Sequence, residues 1–226
     1  MPGPLNAPSW ALATVTAPRA EPPTGMATAE QVVAFHELRA RLMATAASMQ
    51  LNPFTVLVLP LIGGSGGSFV ARNLAASFAF EEGCSALLID CNWTHPTQHI
   101  ALRTSQDGGL FDFLEEPYIN FAPKPTAIRS LYLIPSGRPR SQFREYEYFS
   151  SSKMTNLMRV IRESGRFVVL DGPPAKGSPD AMVLAGLADF VVLVVGSRMG
   201  TRDDIAQAAA MFDPAKVAGI VFNERD

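Results

Sequence analysis

Six short, uninterrupted apolar segments are the feature that most restricts how this chain can fold. They read FTVLVL, SALLID, LYLI, FVVLD, FVVLVV and VAGIVF, and they alternate with segments of helical pattern. Strands without a polar face must be covered on both sides, as in a parallel sheet between two layers of helices. The sequence therefore predicts an α/β fold, a doubly wound and mostly parallel sheet with helices on both faces.

Length and composition narrow the class of protein further. The chain has 226 residues, of which 47% are hydrophobic and 18% charged, enough for one α/β domain with a buried core. The formal net charge is −2 and no block of lysine or arginine occurs, so nucleic acid is not an expected partner. Cys84 and Cys91 lack the spacing of a zinc site, and two cysteines are too few for a disulfide framework, which suits a reducing cytosol.

The amino-terminal part divides the chain into two regions. Residues 1–26 are rich in proline and alanine and are predicted to be a disordered arm, while residues 27–226 are predicted to form a single domain. No apolar run reaches the length of a membrane span, so direct membrane insertion is not expected. A helix should follow the arm, opened by a capping box of Thr28 and Gln31. Its core-facing residues are predicted to be Val32, Phe35, Leu38, Leu42 and Met49.

A glycine turn, GGSGGSF at residues 63–69, stands between the first predicted strand and a helix predicted from Ser68 to about Glu82. Such a turn suits a phosphate-binding loop, because glycines let backbone N–H groups point at phosphate oxygens. Two other predicted strands end in Asp90 and Asp171. Since doubly wound sheets bind ligands beyond the carboxyl ends of their strands, we expect these features to meet in one crevice. The candidate nucleotide-binding residues in the turn are Gly63, Gly64, Ser65, Gly66, Gly67, Ser68 and Phe69.

Three motifs together resemble those of the bacterial tyrosine kinases and of the related MinD/ParA ATPases. GSGGSFVARNLA is similar to their phosphate-binding loop and the helix after it, LLIDCNWTHP to their second motif, and FVVLDGPPAKGSPDA to their third. With weaker similarities between the motifs, the resemblance covers roughly residues 30–226. It implies a three-layer sandwich like that of the P-loop NTPases.

The resemblance also implies a site and a partner. ATP or ADP would bind with magnesium held by Ser68, Asp90 and Asp171, and Asn223 stands where related ATPases contact adenine. The protein would be cytoplasmic and would act in exopolysaccharide biosynthesis and polysaccharide export. Its partner would be a membrane polysaccharide co-polymerase, or chain-length-determinant protein, which would hold it peripherally at the inner membrane.

Several positions depart from the kinase pattern and make the Walker A motif degenerate. Gly67 stands at the position of the loop lysine, and Ile62 at that of the second lysine of the deviant motif. Asn92 replaces the second acid of the second motif, and Gly172 the hydroxyl residue of the third. These changes predict a pseudokinase or pseudo-ATPase that needs no cofactor and binds ATP or ADP weakly at most. No residue is then catalytic, and the two aspartates are vestigial.

The substrate and assembly features of those kinases are also altered. Their tyrosine tail has no counterpart, and the nearest tyrosines are Tyr146 and Tyr148. In their ring-forming segment E-x-x-R-x-x-R, this chain keeps only Arg39, so ring formation by that route is not expected, while another homodimer interface stays open. His95 and His99 are expected in a solvated loop, because the proline between them disfavours a helix.

Two alternative functions stay open. The chain could be an active tyrosine kinase or ATPase with a non-standard loop, if Arg72, Lys176 or a partner subunit supplies the cation. It could also be a dinucleotide-binding, Rossmann-like protein, with GSGGSF as a degenerate fingerprint and Asp90 on a ribose hydroxyl. Phe69 at the third glycine position argues against that second alternative.

Overall fold

The computed structural model describes residues 24–116, 121–138 and 148–224. The predicted disordered arm lies outside these residues except for residues 24–26. The described helices are α1 (Ala29–Ser48), α2 (Gly67–Ala79), α3 (Gln98–Ala101), α4 (Leu110–Glu115), α5 (Ser152–Glu163), α6 (Pro179–Leu187) and α7 (Arg202–Ala209). The described strands are β1 (Thr55–Pro60), β2 (Ala86–Asp90), β3 (Lys124–Pro125), β4 (Leu131–Ile134), β5 (Phe167–Asp171), β6 (Phe190–Gly196) and β7 (Val217–Asn223).

The strands form one sheet in the order β3-β4-β2-β5-β1-β6-β7. Every neighbouring pair is parallel except β3 and β4, which are antiparallel. All six predicted strands are present, and the prediction of a mostly parallel, doubly wound sheet is confirmed. The additional strand β3 has only two residues, which is too short for any apolar pattern to indicate it.

Both faces of the sheet are buried, which explains the uninterrupted apolar segments. Along β1, Val56 and Val58 pack with α1 and α2, while Leu57 and Leu59 pack with α4, α5, α6 and α7 on the opposite face. These four side chains are fully buried. Burying each such side chain stabilises the fold by about 1.5–3 kcal/mol, so a polar residue on either face of β1 would be costly.

Helix α1 begins and packs largely as predicted. Thr28 and Gln31 form the capping box, and Phe35 and Leu42 are buried. The prediction for Met49 is wrong, because the helix ends at Ser48 and Met49 is its C-cap, with 48% of its surface exposed.

Arg39 braces α1 against α2 within the chain. Its Nη1 donates to the Ser77 carbonyl at 2.5 Å, and its Nη2 lies 2.7 Å from a carboxylate oxygen of Glu81. The only residue kept from the ring-forming segment is therefore used for internal packing. None of the described helices combines the length and the hydropathy that crossing a membrane requires.

Candidate functional site

A crevice of about 900 Å³ opens beyond the carboxyl end of β1. Asp90 and Asp171 do not line it, because both are fully buried beneath it as direct neighbours in the register of β2 and β5. Ser65 is likewise buried under the turn. The predicted residues that line the crevice are Gly63, Gly64, Gly66, Gly67, Ser68, Phe69 and Asn223.

The glycine turn keeps the backbone shape of a phosphate-binding loop. Gly64 and Gly66 have φ of 87° and 88°, the left-handed region that favours glycine. Gly66 is the N-cap of α2 and makes no side-chain cap bond, so within the described part of the chain the first N–H groups of this helix are available to an anion. Asn223 braces the turn, since its Nδ2 donates to the Ser65 carbonyl at 3.2 Å. A Cβ at Gly66 would lie 2.0 Å from that Nδ2 atom.

The structure leaves no space for a side chain at Gly67, the position of the loop lysine. A Cβ on Gly67 would lie 2.6 Å from Cδ of Pro60, the last residue of β1. Ile62, at the second lysine position, packs its half-buried side chain against the core. A side chain at position 67 would therefore require Pro60 or the backbone to move.

The third motif likewise leaves no space for a side chain at Gly172. Gly172 stands where the resembled kinases carry a hydroxyl residue, and a Cβ there would lie 2.5 Å from Cδ2 of Leu59 and 2.9 Å from Cδ1 of Leu57. Two core leucines thus occupy the space that a side chain at position 172 would need.

The two aspartates are bonded mainly to groups within the chain. Asp90 Oδ1 accepts the N–H of Asn92 at 3.2 Å, and its Oδ2 accepts those of Thr97 at 3.2 Å and Gln98 at 3.1 Å. Asp171 Oδ2 accepts the side-chain amide of Gln98 at 2.7 Å. Asp90 is therefore engaged in shaping its own loop, which leaves the dinucleotide alternative without a residue for the ribose.

Burial raises the pKa of both carboxyl groups, and the neighbouring charge adds to the rise at Asp90. Burial raises the pKa of Asp90 well above its usual value, and the charge of Asp171 raises it further. Burial also raises the pKa of Asp171, to about 6, although the side chains of Gln98 and Ser68 and the charge of Arg72 oppose the rise.

Arg72, a candidate source of the missing cation, lies at the site, but only 6% of its surface is exposed. Its Nε and Nη2 donate to the Gly25 carbonyl at 3.3 and 2.8 Å, and its Nη1 donates to Oε1 of Gln98 at 2.9 Å and to the Ser68 carbonyl at 3.4 Å. Burial lowers the pKa of Arg72, and the charge of Asp171 opposes that effect. An arginine remains charged under such conditions, so a guanidinium ion is present beside the carboxyl pair.

Gln98 links this arginine to the aspartates, and sequence reasoning missed it. Its Nε2 donates to Asp171 Oδ2 and also to the Ser68 carbonyl at 2.9 Å, while its Oε1 accepts from Arg72. A single glutamine after a proline carries no pattern that would assign it to a site. Only the position of α3 beside α2 brings it there.

The remaining candidate residues lie outside the carboxyl cluster. Lys176 Nζ is 2.5 Å from a carboxylate oxygen of Asp204, so it is engaged elsewhere. His95 is exposed, while His99 lies on α3. The prediction of a loop at His99 is wrong, because α3 begins two residues after the proline, where the ring no longer blocks a helix. Within the three described ranges, no group of three His, Cys, Asp or Glu residues could hold a metal.

Of the two candidate substrate tyrosines, Tyr146 lies outside the described residues. Tyr148 is buried. Its hydroxyl donates to Glu115, and its ring packs edge-on against Phe111 with 5.1 Å between centroids. Tyr148 is therefore part of the core and not an exposed phosphate acceptor.

The predicted magnesium corner can be compared with what that ion requires. Magnesium needs an octahedral set of oxygen ligands and retains several waters. Three of the four carboxylate oxygens of Asp90 and Asp171 accept N–H groups, and Asp171 Oδ1 has no hydrogen-bond partner among the described residues. The nearby Gln98 amide and Arg72 guanidinium are hydrogen-bond donors. One carboxylate oxygen and the Ser68 hydroxyl, beside a fixed positive charge, do not fit a divalent cation.

Comparison with known proteins identifies relatives, although no protein-family model matches the chain. Most of these relatives are named as tyrosine-protein kinases, some of them putative. The chain is 25% identical over 193 residues to putative CapB of Staphylococcus aureus, covering 84% of this chain and 82% of CapB. It is 29% identical over 180 residues to YwqD of Bacillus subtilis (strain 168), covering 78% and 75%. It is 27% identical over 180 residues to the succinoglycan biosynthesis transport protein ExoP of Rhizobium meliloti (strain 1021), covering 76% of this chain and 22% of ExoP.

Solved structures agree on the fold. The crystal structure of the chimerical protein CapA2B2 has a TM-score of 0.75 at 25% identity, over 85% of this chain and 83% of that one. The kinase domain of Escherichia coli ETK has a TM-score of 0.77 at 20% identity, over 92% and 82%. A ParA family ATPase from Chlorobium tepidum TLS follows at 0.56 and 15% identity, over 76% and 73%. The predicted similarity to bacterial tyrosine kinases is thus confirmed by sequence. The P-loop type of sandwich is confirmed by structure, and the ParA family ATPase shares that fold.

Proposed function

We propose that this chain is a kinase-like regulatory domain of an exopolysaccharide assembly and export system, which acts by docking and not by phosphoryl transfer. The observation that carries the proposal is the charge of the crevice. Among the described residues that line it, Arg72 is the only lysine or arginine. The donors of its guanidinium are bonded to Gly25, Ser68 and Gln98. Phosphoryl transfer depends on positive charge placed at the transferring group, and no lysine or arginine among the described lining residues is free to supply it.

The closure of the lysine and hydroxyl positions supports the same proposal. Pro60 fills the space beside Gly67, and Leu59 fills the space beside Gly172. At each of the two positions, neighbouring side chains therefore occupy the space that the usual lysine or hydroxyl residue would need. A loop that had merely lost its lysine would still have room for one.

The pathway is carried over from the relatives. ExoP is named as a succinoglycan biosynthesis transport protein, and the other relatives are named as tyrosine-protein kinases. We propose a membrane polysaccharide co-polymerase as the docking partner, with the protein in the cytoplasm and held peripherally at the inner membrane through that partner. Residues 27–226 act as the single docking domain, to which the described residues Thr24 and Gly25 of the preceding segment are hydrogen-bonded.

Two measurements on the purified chain test this function. The first follows ATP hydrolysis and tyrosine phosphorylation with magnesium, beside YwqD as a working kinase and Ser68→Ala as a matched control. The second measures binding of the cytoplasmic segment of the cognate co-polymerase by calorimetry. We expect the chain and Ser68→Ala to be equally inactive and to bind that segment equally well. Turnover that disappears in Ser68→Ala, or no binding of the segment, would contradict the proposal.

The second candidate is an active kinase or ATPase of the same pathway. It is favoured by one observation, since Arg72 lines the crevice next to the glycine turn and would supply a cation if it rotated. The same turnover assay separates the two candidates. Activity that depends on both Ser68 and Arg72 would establish the enzyme, because a docking domain requires neither charge nor hydroxyl at the loop.

A further inference from the structure

Arg72, Gln98, Asp171 and Asp90 form a buried polar cluster at the crevice. Placing an arginine where 6% of its surface is exposed carries a desolvation cost of several kcal/mol, unless opposite charge and hydrogen bonds compensate. Both compensations are present. The charges of Asp171 and Asp90 act on Arg72, and oxygens of Gly25, Ser68 and Gln98 accept its N–H groups.

The cluster is connected as one network. Gln98 donates to Asp171 Oδ2 at 2.7 Å and accepts from Arg72 Nη1 at 2.9 Å, so its side-chain amide bridges the guanidinium and the carboxylate. Its backbone N–H donates to Asp90 Oδ2 at 3.1 Å. A single glutamine thus fixes the arginine and both aspartates in one arrangement.

The segment before α1 fixes the arginine from the outside. The Thr24 N–H donates to the Ala101 carbonyl at 2.8 Å, and the Ala27 N–H to Oδ1 of Asn73 at 2.8 Å, so this segment crosses from α3 to α2. Between these anchors, the Gly25 carbonyl accepts two N–H groups of Arg72. Gly25 has φ of 62°, and a Cβ on it would lie 2.7 Å from Nη2 of Arg72. The backbone therefore fits closely around the guanidinium.

We infer that Arg72 is a resident cation that takes the place of the divalent metal in this crevice. The carboxyl pair already has its positive partner, and the guanidinium repels a second cation from the one open carboxylate oxygen. Ser68 retains a hydroxyl but no longer has a metal to bind. This inference goes beyond the proposed function, because a docking domain requires neither the presence nor the exclusion of a metal.

Titration with Mn²⁺ as a magnesium substitute tests the inference on the full chain. The paramagnetic resonance signal of the free ion reports binding directly, without nucleotide and without activity. The variants are Arg72→Met and Arg72→Gln, which are neutral, and Arg72→Lys, which keeps the charge. Circular dichroism checks that each is folded. Any Mn²⁺ that still binds after Asp171→Asn is outside the crevice.

We expect the wild type and Arg72→Lys to bind no Mn²⁺ in the crevice. A neutral variant should bind one ion in the crevice, with an affinity at least about tenfold above any affinity of the wild-type crevice, a change of about 1.4 kcal/mol. It should lose this ion again when Asp171→Asn is added. Wild-type binding that Asp171→Asn removes would overturn the inference, even if no neutral variant folds. Folded neutral variants that gain no site would overturn it as well. Neither result depends on co-polymerase binding, so the inference and the proposed function fail separately.

Discussion

Replacing Arg72 by methionine tests the electrostatics of the buried site most directly. Methionine keeps much of the apolar stem but removes the donors to the Gly25 carbonyl at 2.8 Å and to Gln98 Oε1 at 2.9 Å. It also leaves Asp171 and Asp90 without their positive neighbour. A buried acceptor that loses its donor costs about 1–3 kcal/mol, and the lost charge adds to that cost, so we expect a loss of about 3–5 kcal/mol in the free energy of unfolding at neutral pH.

The loss should grow with pH, and the sign follows from Asp171. Burial raises the pKa of Asp171 from 3.8 in the unfolded chain to about 6 in the folded protein. The stability that the protonated side chain contributes is therefore complete below pH 3.8 and is lost as the pH rises through 6. At about 1.4 kcal/mol for each pKa unit, ionisation above that point costs roughly 3 kcal/mol. Arg72 lowers this pKa, so the variant has a still higher one. The gap between the two proteins should widen by on the order of 1 kcal/mol between pH 5 and pH 8.

Urea denaturation at pH 5, 6.5 and 8, followed by circular dichroism, measures this gap. Arg41→Met is a matched control, because Arg41 is exposed on α1 and the same change there should cost less than about 0.5 kcal/mol at every pH. A loss from Arg72→Met that is equal at all three pH values would refute the reasoning. It would mean that Arg72 stabilises the fold by packing and not by its charge on the carboxyl pair.

Three further substitutions probe the loop and α1. Gly67→Lys should destabilise the fold by about 1–3 kcal/mol in urea denaturation and restore no ATP turnover, because its Cβ meets Pro60 at 2.6 Å; wild-type stability with new turnover would contradict this. Gly66→Ala should lower the free energy of unfolding by about 2–4 kcal/mol, and Gly63→Ala should leave it almost unchanged. Of these two glycines, only Gly66 has φ of 88° and a neighbour within 4 Å of the added Cβ. Equal melting temperatures of the two variants would exclude this account. Arg39→Ala should cost about 1–2 kcal/mol without changing the oligomeric state by light scattering, whereas a changed mass would assign Arg39 to an interface.

Much of the fold could be predicted because the relevant signals are local. The alternation of Val56 and Val58 with Leu57 and Leu59 gives β1 two apolar faces, and only a sheet covered on both sides accommodates that pattern. The capping box at Thr28 and Gln31 is also local, and it marked the start of α1 correctly. The error at Met49 arose because nothing in the sequence marks the last turn of that helix.

The site could be predicted only in outline. The glycine turn and the two strand-end aspartates follow from local sequence, but their bonding does not. Gln98 reaches Asp171 across 73 positions of the chain, and Gly25 reaches Arg72 across 47. Such distant contacts leave no local pattern. The same holds for Pro60, whose ring closes the lysine position only because β1 carries it under the turn.

Shape and charge are therefore separable properties of this loop. Its shape depends on the left-handed glycines and on the bond from Asn223 to the Ser65 carbonyl, and neither requires a phosphate or a lysine. Its charge in a working ATPase comes from side chains that project into the crevice. Here Arg72, the one arginine among the described lining residues, is bonded within the chain. A motif of glycines thus predicts a geometry for binding an anion, because backbone N–H groups supply it. Whether that geometry transfers a phosphoryl group depends on cations that the glycines do not specify.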